Sequence, residues 1–414
     1  MKLKNSLIEN IFSMLTLRGL EYILSFILVP YLLRVLGPAN FGAVAFMQGI
    51  IVYFNLFIDY GFNLTAPRAL AQSSKAEIPL IFSTYMWSKV FLLGLVSVSF
   101  CGLLWLGNLL QIVRIDWHLF VAVYIGVIGN VLFPIWFFQG IQQMRYITII
   151  NLMGRTLSIL CIFAFVSSEN DYILAAFLQS CTPFIAGVLS LFLIAHIFPG
   201  IFQMPTLVHI KEVFKEARQI FISNLAISLY TNTDIVLLGI ITNNTIVGYY
   251  SGADKLLNCI KRGISATNDA VYPYISQQFK RDPIRAIRFL KKQLVAYVIC
   301  GIAGGVAILV GAPIVIPWLL GSKYVYSILP LQIMAFVPLI VSLSNIFGYE
   351  TMLPLGMEKI YSKILLLVSV LNLLIIVPLI LLYRENGVSV TMFITESVVT
   401  IAMGIALKRR HILL

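Results

Sequence analysis

Residues 224–255 read NLAISLYTNTDIVLLGIITNNTIVGYYSGADK, a stretch apolar enough to enter a bilayer that still carries Asn224, Ser228, Thr231, Asp234, Asp254 and Lys255. Ionisable groups in hydrocarbon are costly. They therefore face a bundle interior or a watery cavity, and they mark functional paths by default. Further groups of this kind recur at helical spacing. Gln48, Asn55, Asp59 and Asn63 step by seven, four and four, which sets them on one helix face. Asp254, Asn258, Lys261, Ser265, Asn268 and Tyr272 alternate steps of four and three, and Lys255, Arg262 and Asp269 form the adjacent ridge. Arg18 and Glu21 lie three residues apart and can neutralise each other. Lys89 and Arg155 have no carboxylate three or four residues away, so each needs a distant partner or an anionic ligand, or, for Lys89, a route to the interface along its own stem. Such residues suit binding and passage rather than bond-making. No Walker A pattern provides for direct use of ATP, no HExxH or GxSxG motif is present, and His118, His196, His209 and His411 are scattered.

The elements that must hold these groups are membrane spans. A span needs roughly 20 apolar residues. On that rule about twelve are expected, near 11–33, 41–66, 80–106, 117–138, 147–166, 172–198, 218–241, 248–274, 294–320, 327–350, 361–383 and 387–407. The eighth carries the polar stripe and would escape a plain hydropathy scan. With the N-terminus inside, the cytoplasmic segments collect most Lys and Arg, while the opposite side keeps only Arg34, Arg114, Lys323 and Arg384. That asymmetry predicts both termini on the cytoplasmic side. The longest cytoplasmic connections are 199–217 and 275–293, and Val213, Phe214 and Ala217 predict a short interfacial helix in the first.

An internal echo divides the chain. Gly42 and Gly248 each follow a short loop and open a helix, and Pro67 and Pro273 close those helices at the same separation of 206 residues. The expected fold is therefore an all-α polytopic membrane protein with two six-helix lobes, residues 1–205 and 206–414, related as parallel repeats by a pseudo-twofold axis along the membrane normal.

Composition agrees. The 414 residues are 60% hydrophobic and only 11% charged, with a mean hydropathy of +0.94, against roughly 25% charged in soluble domains. The net charge of +12 sits at span ends, where orientation in a bilayer explains it better than nucleic acid. Five cysteines lie in hydrophobic segments without metal-site spacing. No cleavable signal peptide is expected in MKLKNSLIENIFSML, so the first helix would stay in the membrane.

Several motifs are familiar. LRVLGPANFGAVAFMQ, DYGFNLTAPRALA, FPIWFFQGIQQMRYI and SLYTNTDIVLLGIITNNTIVGYYSGADK resemble the O-antigen flippases, the Wzx proteins of the polysaccharide transporter family in the multidrug/oligosaccharidyl-lipid/polysaccharide export superfamily. The similarity runs through nearly the whole chain in order and becomes generic after Arg281. It implies about twelve helices in two lobes around a partly cationic cavity. The implied cargo is an undecaprenyl-pyrophosphate-linked oligosaccharide, moved between leaflets of the bacterial inner membrane by alternating access. Other O-antigen assembly proteins and the phospholipid bilayer are the implied partners, with no cofactor. Under that resemblance Arg18, Lys89, Arg155, Asn224, Lys255, Lys261 and Arg262 are the candidate substrate-binding residues. Glu21, Asp59, Asp234, Asp254 and Asp269 are candidates for ion or proton coupling, or equally for salt bridges to the cations. The rival readings are a cation-coupled multidrug exporter, against which the intramembrane Lys and Arg weigh, and a polysaccharide polymerase or ligase, which would need a sizeable external loop.

Overall fold

The computed structural model describes the backbone of residues 2–410 and 412, and the side chains of 24, 26–410 and 412 except 226, 230, 266, 269 and 270. The described residues form helices joined by short connections, with no strand among them. The protein is an all-α membrane protein of many spans.

Two compact units divide the chain: Met1–Leu36 with Val44–Ser228, and Gly37–Ala43 with Leu229–Leu414. The first holds α1 (Lys2–Asp59), α2 (Phe62–Gln72), α3 (Ile78–Leu109), α4 (Trp117–Leu132), α5 (Ile135–Gly140), α6 (Met144–Phe165), α7 (Tyr172–Ile197) and most of α8 (Leu207–Thr231). The second holds α9 (Thr233–Ile241), α10 (Asn244–Arg281), α11 (Pro283–Leu320), α12 (Ile328–Ile333), α13 (Val337–Asn345) and α14 (Glu358–Lys408). The long segment of the first unit ends at Ser228, within α8. The reason is packing. Val213 and Ala217 of α8 are buried in the first unit's core with Phe62, Tyr85, Trp136 and Phe137. The 207–217 segment is accordingly the start of one long helix, not a separate interfacial one.

The long connection expected at 275–293 is also helical. α10 runs to Arg281 and α11 starts at Pro283, where Asp282 accepts a hydrogen bond from the Arg285 amide at 3.0 Å. An N-cap carboxylate followed by proline at N1 starts a new helix because neither position needs an intrahelical donor.

By length and apolar composition, seven helices among the described residues can cross a membrane, and up to nine when each of two bent pairs counts as one span. Three features raise this toward the expected number. α1 is two helices joined at Gly37, whose φ of 69° and ψ of 171° are non-helical. α14 is two helices joined at Arg384, whose φ of 50° reverses the chain. α10 has 38 residues, about 57 Å at 1.5 Å per residue, long enough to cross but more polar than the other spans. The count accommodates the expected twelve or so.

The echoed glycines meet inside the second unit. A Cβ on Gly42 would strike the carbonyl oxygen of Asn244, and one on Gly248 would strike the carbonyl oxygen of Pro38. Only glycine permits this backbone approach. The family-like motif FPIWFFQG has a structural role too, since Phe133, Trp136, Phe137 and Phe138 are buried core residues.

Candidate functional site

In the first unit, the polar face of α1 is joined to three other helices. Gln48 Nε2 donates to Gln179 Oε1 of α7 at 3.4 Å. Asn130 Nδ2 of α4 donates to Asn55 Oδ1 at 3.2 Å. Lys89 of α3 donates from Nζ to Asp59 Oδ1 at 2.6 Å and to Asn63 Oδ1 at 3.4 Å. Lys89 is 2% exposed and Asp59 35%, so the ammonium is enclosed while the carboxylate still reaches open space. That space is a cavity of about 190 Å³ lined by Leu56, Asp59, Asn63, Asn224, Ile227 and Ser228. A left-handed turn makes it possible. Tyr60 and Gly61 take φ values of 45° and 85°, turning α2 away from α1. A Cβ on Gly61 would come within 2.9 Å of Ile220 of α8. Glycine lets α8 approach closely enough to offer Asn224 and Ser228 to the cavity.

The distant partner that the sequence required for Lys89 is therefore Asp59. Arg155 is half-buried on α6 and engaged in an interaction of its own.

In the second unit, α8 gives way to α9 at Asn232, and Asp234 falls in the first turn of α9. A carboxylate there faces the partial positive charge of the helix N-terminus. Asp234 is buried, hydrogen-bonded with Asn372 of α14, and in electrostatic contact with Asp254, Lys261 and Glu396. Asn372 Nδ2 also donates to Thr395 Oγ1 at 3.4 Å. Asp254 is buried and accepts from Asn258 Nδ2 at 2.7 Å. Tyr250 is buried in electrostatic contact with both aspartates. Asp234 Oδ1 and Asn372 Oδ1 have no hydrogen-bond partner. These are acceptor atoms without a donor, in a place where an unmet polar group is costly. No group of three or more His, Cys, Asp or Glu among the described residues is arranged to hold a metal ion.

The α10 stripe does not act as one surface. Asp254 and Asn268 are buried, Lys255, Asn258 and Lys261 are half-buried, and Arg262 and Ser265 are exposed. The structure brings Asp59, Lys89 and Asn224 together in one unit, and Asp234, Asp254 and Lys261 in the other. Arg18, Glu21 and Asp269 lie outside the described side chains.

Comparison with known proteins supplies the family. Residues 7–279 match the family described as polysaccharide biosynthesis protein. The chain belongs to that family. A protein of Escherichia coli (strain K12), described by name only as an O-antigen transporter, is 31% identical over 99% of both chains. One of Shigella dysenteriae with the same description is 29% identical, covering 97% of this chain and 100% of its own. Among solved structures, the lipid II flippase MurJ in an inward closed conformation superposes with a TM-score of 0.70 at 12% identity, covering 95% of this chain and 87% of its own. An inward-facing multidrug resistance transporter of the MATE family superposes at 0.63 and 15% identity, covering 94% of this chain and 93% of its own. These two structures establish that the chain shares their fold.

Several site residues were not singled out from the sequence: Asn130, Gln179, Asn372, Thr395 and Glu396. Asn130 and Asn372 are lone polar groups within apolar runs, and Gln179 and the Thr395–Glu396 pair sit in short polar breaks, so none adds to a periodic pattern. The rule that intramembrane polar groups are functional suspects applies to each of them individually.

Proposed function

We propose that this protein is a flippase for undecaprenyl-pyrophosphate-linked O-antigen repeat units. It moves them from the cytoplasmic to the periplasmic leaflet of the inner membrane by alternating access, with ion or proton coupling and both termini in the cytoplasm. The observation that carries this reading is full-length similarity to O-antigen transporters on a fold built of two helical units with polar interiors. A pyrophosphate-linked sugar needs cations and hydrogen-bonding groups along a path that its lipid tail need not enter. Asn224, Asn63 and Ser228 offer amides and a hydroxyl suited to sugar hydroxyls. Arg155, Lys255, Lys261 and Arg262 offer positive charge to the pyrophosphate. Lys89 acts through Asp59, fixing the cavity wall. Asp234, with an open oxygen beside Asn372, is the leading coupling carboxylate, and Asp254 and Lys261 tune its field. The protein is read as a transporter, not an enzyme.

Deleting the gene in its own host tests the proposal. The expected result is loss of surface polysaccharide with lipid-linked repeat units accumulating at the cytoplasmic face, both reversed by the wild-type gene. Unchanged surface polysaccharide with increased sensitivity to cationic drugs would favour a drug exporter and overturn the reading.

A further inference from the structure

Glu350 belongs to no site described above. It lies in the π-helical turn Ile346–Met352 between α13 and α14 and is 0% exposed. Thr351 Oγ1 donates to the Ile346 carbonyl at 2.6 Å, across five residues, which supports the wider turn. Single π-turns inside helices occur frequently at functional sites.

One oxygen of Glu350 has a partner: Gln293 Nε2 of α11 donates to Oε1 at 3.1 Å. The other, Oε2, has none, and neither has Gln293 Oε1. Among the described residues Glu350 makes no ion pair. Its titratable neighbours are chiefly tyrosines. Tyr297 of α11 is in electrostatic contact with it and donates to Asn268 Oδ1 of α10 at 3.0 Å. Tyr361 of α14 packs on Gly348 and feels Glu396, and Tyr272 of α10 lies 4.4 Å from the ring of Tyr349.

An ionised carboxylate here would be a buried charge without a counter-ion, beside an amide oxygen that also lacks a donor. Both features are unfavourable in hydrocarbon. One proton removes both. A carboxylic acid and a primary amide form a cyclic pair in which the amide N–H donates to the acid's carbonyl oxygen and the acid O–H donates to the amide oxygen. That arrangement uses the hydrogen bond already present and gives the two unmatched oxygens to each other. We propose that Glu350 and Gln293 form a proton-binding site in the second unit, holding a neutral carboxylic acid at neutral pH. The site does not depend on what the protein transports.

Infrared spectroscopy of the full-length protein in lipid nanodiscs at neutral pH tests this. The wild type should show a protonated-acid carbonyl band that shifts on exchange into heavy water. The band should be absent from Glu350→Gln and displaced, not lost, in Glu350→Asp. Glu350→Gln should keep the wild-type melting temperature, because an amide pair reproduces both hydrogen bonds. The Glu350→Asp comparison stands on its own if the glutamine variant does not fold. The proposal is overturned if Glu350→Gln loses intensity only from the carboxylate bands. It is equally overturned if the acid band of the wild type vanishes when sodium replaces choline, since the oxygens would then bind a metal cation.

Discussion

The two units handle buried charge in opposite ways. In the first, the stripe that runs from α1 across the turn into α2 is tied off: Gln48, Asn55, Asp59 and Asn63 each meet a side chain of another helix, and Lys89 is neutralised by Asp59. In the second, Asp234 and Glu350 each keep a buried carboxyl oxygen with no hydrogen-bond partner. All buried carboxyl oxygens left unmatched among the described residues lie there. A matched network rigidifies a fold. An open acceptor is where a mobile ion or proton can be held and released. Under the function proposed above, the first unit's polar face positions the cargo and the second's carries the coupling.

The largest effect should come from breaking the Asp59–Lys89 pair on one side. Lys89→Leu leaves a carboxylate without its cation, a change that costs about 3–5 kcal/mol in buried pairs and sits at the lower end here because Asp59 is partly exposed. Thermal melting in detergent should show a large loss, most of it restored by Asp59→Leu in the same chain. A double variant no more stable than Lys89→Leu would mean that the lysine itself, not its pairing, is needed.

Next in size is Asn130→Leu, which removes the donor to Asn55 Oδ1 and, with Asn130 exposed and Asn55 half-buried, should cost about 0.5–1.5 kcal/mol. Loss of melting temperature checks it, and Asn55→Leu on top should recover part. The smallest effect belongs to Gln48→Leu. Its 3.4 Å bond to Gln179 is long, and interhelical hydrogen bonds in membranes average about 0.6 kcal/mol. A loss as large as that of Lys89→Leu would show that the stripe is not graded by the strength of its pairings.

How much of this was legible beforehand follows from the physics of each signal. Apolar runs of sufficient length disclose spans, and the alternating stripe on α10 disclosed a helix that hydropathy misses. The separation shared by Gly42 and Gly248 pointed to equivalent positions, but not to their mutual contact, which needs three dimensions. Partner identity was hidden for the same reason. Lys89 and Asp59 lie on different helices, and nothing in either local pattern names the other. The continuity of α8 was hidden because Lys211, Lys215 and Arg218 make its first turns look interfacial until Val213 and Ala217 are seen facing the core. Asn372 and Glu350 were missed because a single polar residue has no period.

The comparison is tested most directly by measuring transport in two variants at matched protein levels in the membrane. Surface polysaccharide is read in a host lacking its own copy, complemented with either Asp59→Leu/Lys89→Leu or Asp234→Asn. Asparagine keeps the size of Asp234 and its hydrogen bond with Asn372 but removes the charge. The expected result is substantial polysaccharide with the double variant and at least a tenfold loss with Asp234→Asn. Wild-type polysaccharide with Asp234→Asn, together with none from the double variant, would contradict the assignment of coupling to the second unit.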